Sequence, residues 1–151
     1  MSANIHASCV AIDGRGVLLL GPSGSGKSDL ALRLVDEGAK LVADDRCELF
    51  VRGRKLCARP PHSIAGLLEM RDIGIIALPH TKSAAVALAV RLGTSRMRLP
   101  EPAFYVSPLG PQVPLILVKA DAASAPARIR MALAAFVQSR FRDTFNPPNR
   151  T

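Results

Sequence analysis

Short apolar runs separated by turn-forming residues dominate the first half of the chain. Ser8 to Ile12 (S-C-V-A-I) reads as a strand, Asp13-Gly14-Arg15-Gly16 as a turn, and Val17 to Leu20 as a second strand closing a hairpin. The period then changes. From Asp29 to Glu37, Leu30, Ala31, Leu34 and Val35 form one helical stripe, Asp29 and Arg33 stand four apart on the other side, and Gly38 is a stop. Ala39 to Ala43 returns to strand and ends in Asp44-Asp45. Glu48 to Val51 and Lys55 to Ala58 predict a hairpin across Arg52-Gly53-Arg54. Arg59 to His62 is a loop, after which Ser63 is placed to cap a short helical turn over Ile64 to Leu68. Ile73 to Leu78, Ala84 to Leu92 and Val113 to Val118 predict further strands, with the proline-rich run Leu99 to Gln112 an irregular loop or sheet edge. Ala125 to Phe141 has helical spacing through Ile129, Leu133, Phe136 and Val137, and Phe145 to Thr151 predicts a frayed tail. With no internal repeat or linker, these elements describe an α/β unit over residues 1–144, followed by a flexible tail at 145–151.

Composition narrows the class. The chain has 151 residues, 48% hydrophobic and 21% charged, the balance of a globular domain with a real core. No apolar stretch reaches the roughly 18 residues that span a bilayer, and Met1 to His6 does not read as a secretory signal. Cys9, Cys47 and Cys57 lack metal-ligand spacing, and their odd number in such a chain points to reduced thiols and a cytoplasmic location. The net charge of +8 suits an anionic nucleotide or an acidic partner, and equally an ordinary solvated basic surface. One tyrosine, no tryptophan and no basic run interleaved with aromatics argue against nucleic acid.

The chemistry concentrates at Gly21-Pro22-Ser23-Gly24-Ser25-Gly26-Lys27-Ser28, which fits G-x-x-x-x-G-K-[ST] between a strand and a helix. Such a loop turns backbone N–H groups toward phosphate oxygens, and the helix N-terminus adds partial positive charge. Lys27 is expected on the β- and γ-phosphates and Ser28 on Mg²⁺. Asp44 and Asp45, 17 and 18 positions after Lys27, close a strand whose end is expected beside that loop, as in a parallel sheet. One carboxylate serves a metal, and its neighbour can accept a proton from an attacking hydroxyl. Adjacent carboxylates titrate together, so spacing alone does not say which does which. His6 precedes the first strand, where it is either a surface histidine or a tuner of a nearby carboxylate. Glu69 and Arg71 abut an apolar run, as metal and phosphate ligands or as a solvated loop. His62 and His80, beside prolines, have no ligand-like spacing.

Taken in order, Ile5-His6, Gly21 to Ser28, Leu41-Val42-Ala43-Asp44-Asp45, Glu69-Met70-Arg71 and Gly74-Ile75-Ile76 resemble the catalytic C-terminal domain of the HPr kinase/phosphorylase family. The resemblance covers about residues 5 to 78. It implies a phosphoenolpyruvate-carboxykinase-like sheet with flanking helices. It also implies an enzyme that uses ATP and Mg²⁺ to phosphorylate a serine of HPr, the phosphocarrier of the sugar phosphotransferase system. Such enzymes also remove that phosphate onto inorganic phosphate, giving pyrophosphate, and assemble as hexamers. Carried over by position, Lys27 binds phosphate, and Ser28, Glu69 and Asp44 lie at the metal. Asp45 is the proton acceptor, His6 supports it, and Arg71 belongs to the catalytic set. Two departures stand out. The glycine loop begins at residue 21, as in short forms lacking the family's N-terminal domain. Asp72 also replaces the first glycine of the family's E-[IV]-R-G-x-G segment. A small-molecule kinase, a nucleotide-binding regulatory module without transfer activity and a nucleic-acid-associated ATPase are the rival readings.

Overall fold

The computed structural model describes residues 1–94 and 101–139, so the tail expected at 145–151 lies outside the described residues. The strands are β1 (Ser2–Ile5), β2 (Ala7–Ile12), β3 (Arg15–Leu20), β4 (Lys40–Ala43), β5 (Cys47–Arg52), β6 (Lys55–Arg59), β7 (Leu67–Met70), β8 (Gly74–Ala77), β9 (Ala84–Leu92), β10 (Ala103–Val106) and β11 (Gln112–Val118). The helices are α1 (Lys27–Asp36) and α2 (Ala125–Val137). No described helix is long and apolar enough to cross a membrane.

The main sheet runs β1-β5-β6-β9-β3-β2-β4, with β11 also on β9 and β10 outside β11. One edge of β9 is shared. Ala84 and Ala85 pair with β6, whereas Ala89 to Leu92 pair with β11, which forces the sheet to curl. Among the described strand pairs of this sheet, β3/β9 and β9/β11 are parallel and the others antiparallel, with one isolated parallel bridge between Leu41 of β4 and His80. The expected parallel sheet around the glycine loop is thereby corrected. β2 lies between β3 and β4, antiparallel to both. Those two strands still point the same way, so their C-terminal ends and the start of β2 meet at one edge.

Successive apolar residues feed two cores. Val17 and Leu19 face α1 and α2 with Val10, Leu30, Leu34, Leu41, Ile129 and Leu133, whereas Leu18 and Leu20 face the inside of the curl with Cys9, Val42, Leu49 and Leu56. Burial on both faces is why β2 and β3 read as continuous apolar runs rather than alternating ones. All three cysteines are free and buried, and contact with Cys47 together with burial raises the Cys9 thiol well above its ordinary value. Helix α1 ends where Gly38 takes φ 112 and its N–H bonds the Val35 carbonyl at 3.0 Å, while Ala39 N–H reaches Leu34 at 3.0 Å. This glycine-terminated cap tucks Ala39 against the Leu34 end of the core. Leu34 is 1% exposed. Leu34→Ala should cost about 2–5 kcal/mol. Urea unfolding should show this as a lower midpoint with an unchanged slope.

Two local expectations are corrected. The helical turn expected over Ile64 to Leu68 is instead a 3-10 turn at His62–Ile64 followed by β7. Gly66, at φ 75, lies outside the right-handed helical region and turns the chain, and a side chain there would come within 2.7 Å of the His80 ring. The strand expected at Ile73 to Leu78 is only β8, which pairs solely with β7 in a separate two-stranded sheet. Ile75 is accordingly 70% exposed. The Leu99 to Gln112 run contributes β10, an edge strand held by β11. Helix α2 spans Ala125–Val137, and the end expected at Phe141 lies outside the described residues.

Candidate functional site

The glycine loop leaves β3 and enters α1 at the edge where strand ends meet. Its bend depends on Gly24 and Gly26, which hold φ 81 and 99, conformations that cost L-residues with side chains. Lys27 is the first helical residue and is buried at 4% exposure. Its Nζ donates to the Gly21 carbonyl at 2.7 Å and the Pro22 carbonyl at 3.0 Å. The ammonium is therefore strapped across the loop it belongs to, held in place before any anion arrives. The Ser25 hydroxyl is buried inside the loop without a hydrogen-bond partner.

Opposite the loop stands the acidic doublet. Between Cys9 and Val10 the β2/β4 register slips, Cys9 facing Ala43 and Val10 facing Leu41, so Val42 is an extra residue. Such a bulge bends its strand and re-aims the residues beyond it. The chain leaves β4 through a tight turn in which Arg46 N–H bonds the Asp44 carbonyl at 2.7 Å around Asp45 at φ 66. A three-residue turn with positive φ is strained, by about 1–3 kcal/mol, and such strain gathers at functional sites.

That turn gives the two carboxylates different surroundings. Asp44 Oδ1 accepts from Ser28 Oγ at 2.7 Å and from Ser8 Oγ at 2.9 Å, facing the first turn of α1. Asp45 faces outward, its side chain 57% exposed, and its Oδ1 lies 2.5 Å from His6 Nε2. Ser8 ties the pair together, because its hydroxyl also accepts the Asp45 N–H at 3.0 Å. His6 and Ser8 arrive here because β2 runs antiparallel to β3 and β4, setting its first residues beside their last: Ala7 faces Leu20 and Cys9 faces Ala43.

The structure thus brings together Gly21 to Ser28, Asp44, Asp45 and His6. It does not bring in Glu69 and Arg71. Both are exposed on the β7–β8 hairpin, whose Leu68 packs into the helix-side core. Among the described residues, no hydrogen bond or ion pair links either to Ser28, Asp44 or Asp45. Asp72, which stands where the family pattern has glycine, takes φ 68. Aspartate tolerates this left-handed conformation better than most residues, so the hairpin keeps a glycine-like turn. Sequence reasoning misses Ser8. Its one signal is a hydroxyl inside an otherwise apolar strand, and here it is fully buried.

Ser28 and Asp44 are the pair that could hold a divalent cation. No group of three or more His, Cys, Asp or Glu side chains forms a metal cage among the described residues. The donor set suits Mg²⁺, which is commonly held by one or two protein oxygens together with substrate phosphate and water.

Comparison with known proteins places the chain in a family. The HPr Serine kinase C-terminal domain model matches residues 1–87. The HPr kinase/phosphorylase of Limosilactobacillus reuteri (strain DSM 20016) is 46% identical over 74 residues, covering 48% of this chain and 23% of that protein. That of Clostridium tetani (strain Massachusetts / E88) is 37% identical over 87 residues, covering 58% of this chain and 28% of that protein. The matches thus span less than a third of these relatives' length. The solved Hpr(Ser) kinase/phosphatase from Coxiella burnetii superposes with a TM-score of 0.76 at 28% identity, covering 91% of this chain and 96% of that one. The matched region holds the glycine loop, the acidic doublet and His6, and by it this chain belongs to the HPr serine kinase C-terminal domain family.

Proposed function

We propose that this chain is a phosphate-loop protein kinase with a phosphoenolpyruvate-carboxykinase-like core, using ATP and Mg²⁺ to phosphorylate a serine of an HPr-like phosphocarrier. The observation that carries this reading is the placement of the His6–Asp45 couple at 2.5 Å and the Ser28–Asp44 couple at 2.7 Å on one edge, facing Lys27's loop. When bound, Mg-ATP would supply the transferable phosphoryl group. The loop amides and Lys27 would hold its β- and γ-phosphates, and Ser28 and Asp44 would hold the cation. Asp45, exposed at the rim, is where a seryl hydroxyl from another protein can arrive, and its carboxylate accepts that hydroxyl's proton. His6 holds the carboxylate in place, and Ser8 fixes the turn that presents it. Glu69 and Arg71 serve metal and phosphate in this reading only if the β7–β8 hairpin meets the loaded site. Residues 1–144 act as one catalytic unit.

The test is mass spectrometry of an HPr-like carrier incubated with the chain and Mg-ATP. One phosphoryl group on a carrier serine is expected. An unmodified carrier beside phosphorylated metabolites would make the chain a small-molecule kinase. Tight nucleotide binding without any product would make it a regulatory module.

A further inference from the structure

On the side of the glycine loop away from Asp44 and Asp45, a pocket of about 470 Å³ opens between the loop and the ends of β9 and β11. Its walls include Gly24, Gly26, Asp29, Leu92, Lys119 and Asp121. The volume is that of a small-molecule site. Its apolar side is the Leu92 end of β9 and the Ala120 methyl; its polar side is Lys119 and Asp121, 3.9 Å apart on the loop after β11. That loop is anchored. Arg33 of α1 pairs with Asp29 at 3.1 Å while its guanidinium donates to the Ala120 and Ala122 carbonyls. The helix that starts at the glycine loop therefore also fixes where Asp121 stands.

We propose that this pocket receives the nucleoside of the bound nucleotide, and that Asp121 reads the edge of its base. The inference rests on the phosphate-loop reading above, since a nucleotide held there must put its sugar and base somewhere contiguous with the loop. A slot with an apolar wall and a lysine stem suits a planar ring. A carboxylate only accepts hydrogen bonds. Guanine offers it two adjacent N–H donors, N1–H and the 2-amino group. Adenine's equivalent edge pairs one donor with an N1 lone pair that a carboxylate repels. The site therefore holds GTP at least as tightly as ATP, and Asp121 is its specificity-determining residue.

Calorimetric titration of the intact chain with Mg-GTP, Mg-ATP and inorganic tripolyphosphate tests this without reference to transfer. Asp121→Asn replaces two acceptor oxygens with one acceptor and one donor, the complement of adenine's edge. It should weaken GTP about tenfold, the scale of one good base contact, while ATP holds or gains and tripolyphosphate is unchanged. A GTP-to-ATP ratio unmoved by Asp121→Asn, or ATP bound more than about tenfold tighter than GTP by the unaltered chain, overturns the base-reading role and leaves the phosphate loop standing. Failure of tripolyphosphate to bind at all overturns the phosphate-loop reading, and this inference falls with it.

Discussion

Lys27→Ala should lose most of the chain's affinity for nucleotide triphosphates. Lys27 is buried, and its ammonium is fixed by two loop carbonyls at 2.7 and 3.0 Å. No rotamer search or loop closure is needed when a phosphate arrives, so little of the interaction is spent on ordering. A hydrogen bond to a charged group contributes about 1.5–3 kcal/mol, which is roughly ten- to over a hundredfold in Kd. Transfer should fall further, because the same charge would stabilise the phosphoryl group as it moves. Calorimetry with Mg-ATP reads the first effect, and unchanged binding would remove the phosphate-loop assignment altogether. The substitution also leaves the Gly21 and Pro22 carbonyls without their donor. A parallel thermal melt is therefore needed to show that the loss lies at the site and not in the fold.

Asp45→Asn should leave nucleotide binding within about twofold of normal, yet cut phosphoryl transfer by about 10²–10⁴, the usual contribution of a general base. The amide keeps the side chain's shape but cannot take a proton. It also suits the backbone, since asparagine, like aspartate, tolerates the left-handed conformation that residue 45 adopts at φ 66. Alanine there would mix strain with the loss of the carboxylate. The companion change, Asp44→Asn, has a different signature. Its oxygen accepts from both Ser8 and Ser28, so binding of Mg-ATP, rather than transfer alone, should suffer. Measuring both Kd and single-turnover transfer for the two variants separates the roles. Full transfer by Asp45→Asn would eliminate the proposed base.

Much of this site was legible in the sequence because it is built from local signals. The glycine loop needs left-handed backbone at Gly24 and Gly26, and glycine announces that requirement residue by residue. The doublet at the end of an apolar strand was equally visible. The different surroundings of its two members were not, because they depend on a bulge at Val42 and a γ-turn at Asp45. The hairpin at residues 67–77 misled for a related reason. Its apolar run Ile73 to Leu78 has the composition of a buried strand, but its single partner leaves Ile75 exposed.

From the order of residues alone came the hairpin, the loop, the helix behind it and the acidic strand end, each specified by φ preferences and by the spacing of neighbours along one segment. Only the tertiary structure decided that β2 is inserted antiparallel between β3 and β4. That placement sets His6 and Ser8 beside carboxylates 39 and 36 positions away. Pairing between distant strands depends on how two buried faces are shared, and no local pattern encodes it, since every residue of β2 is buried whichever neighbour it takes.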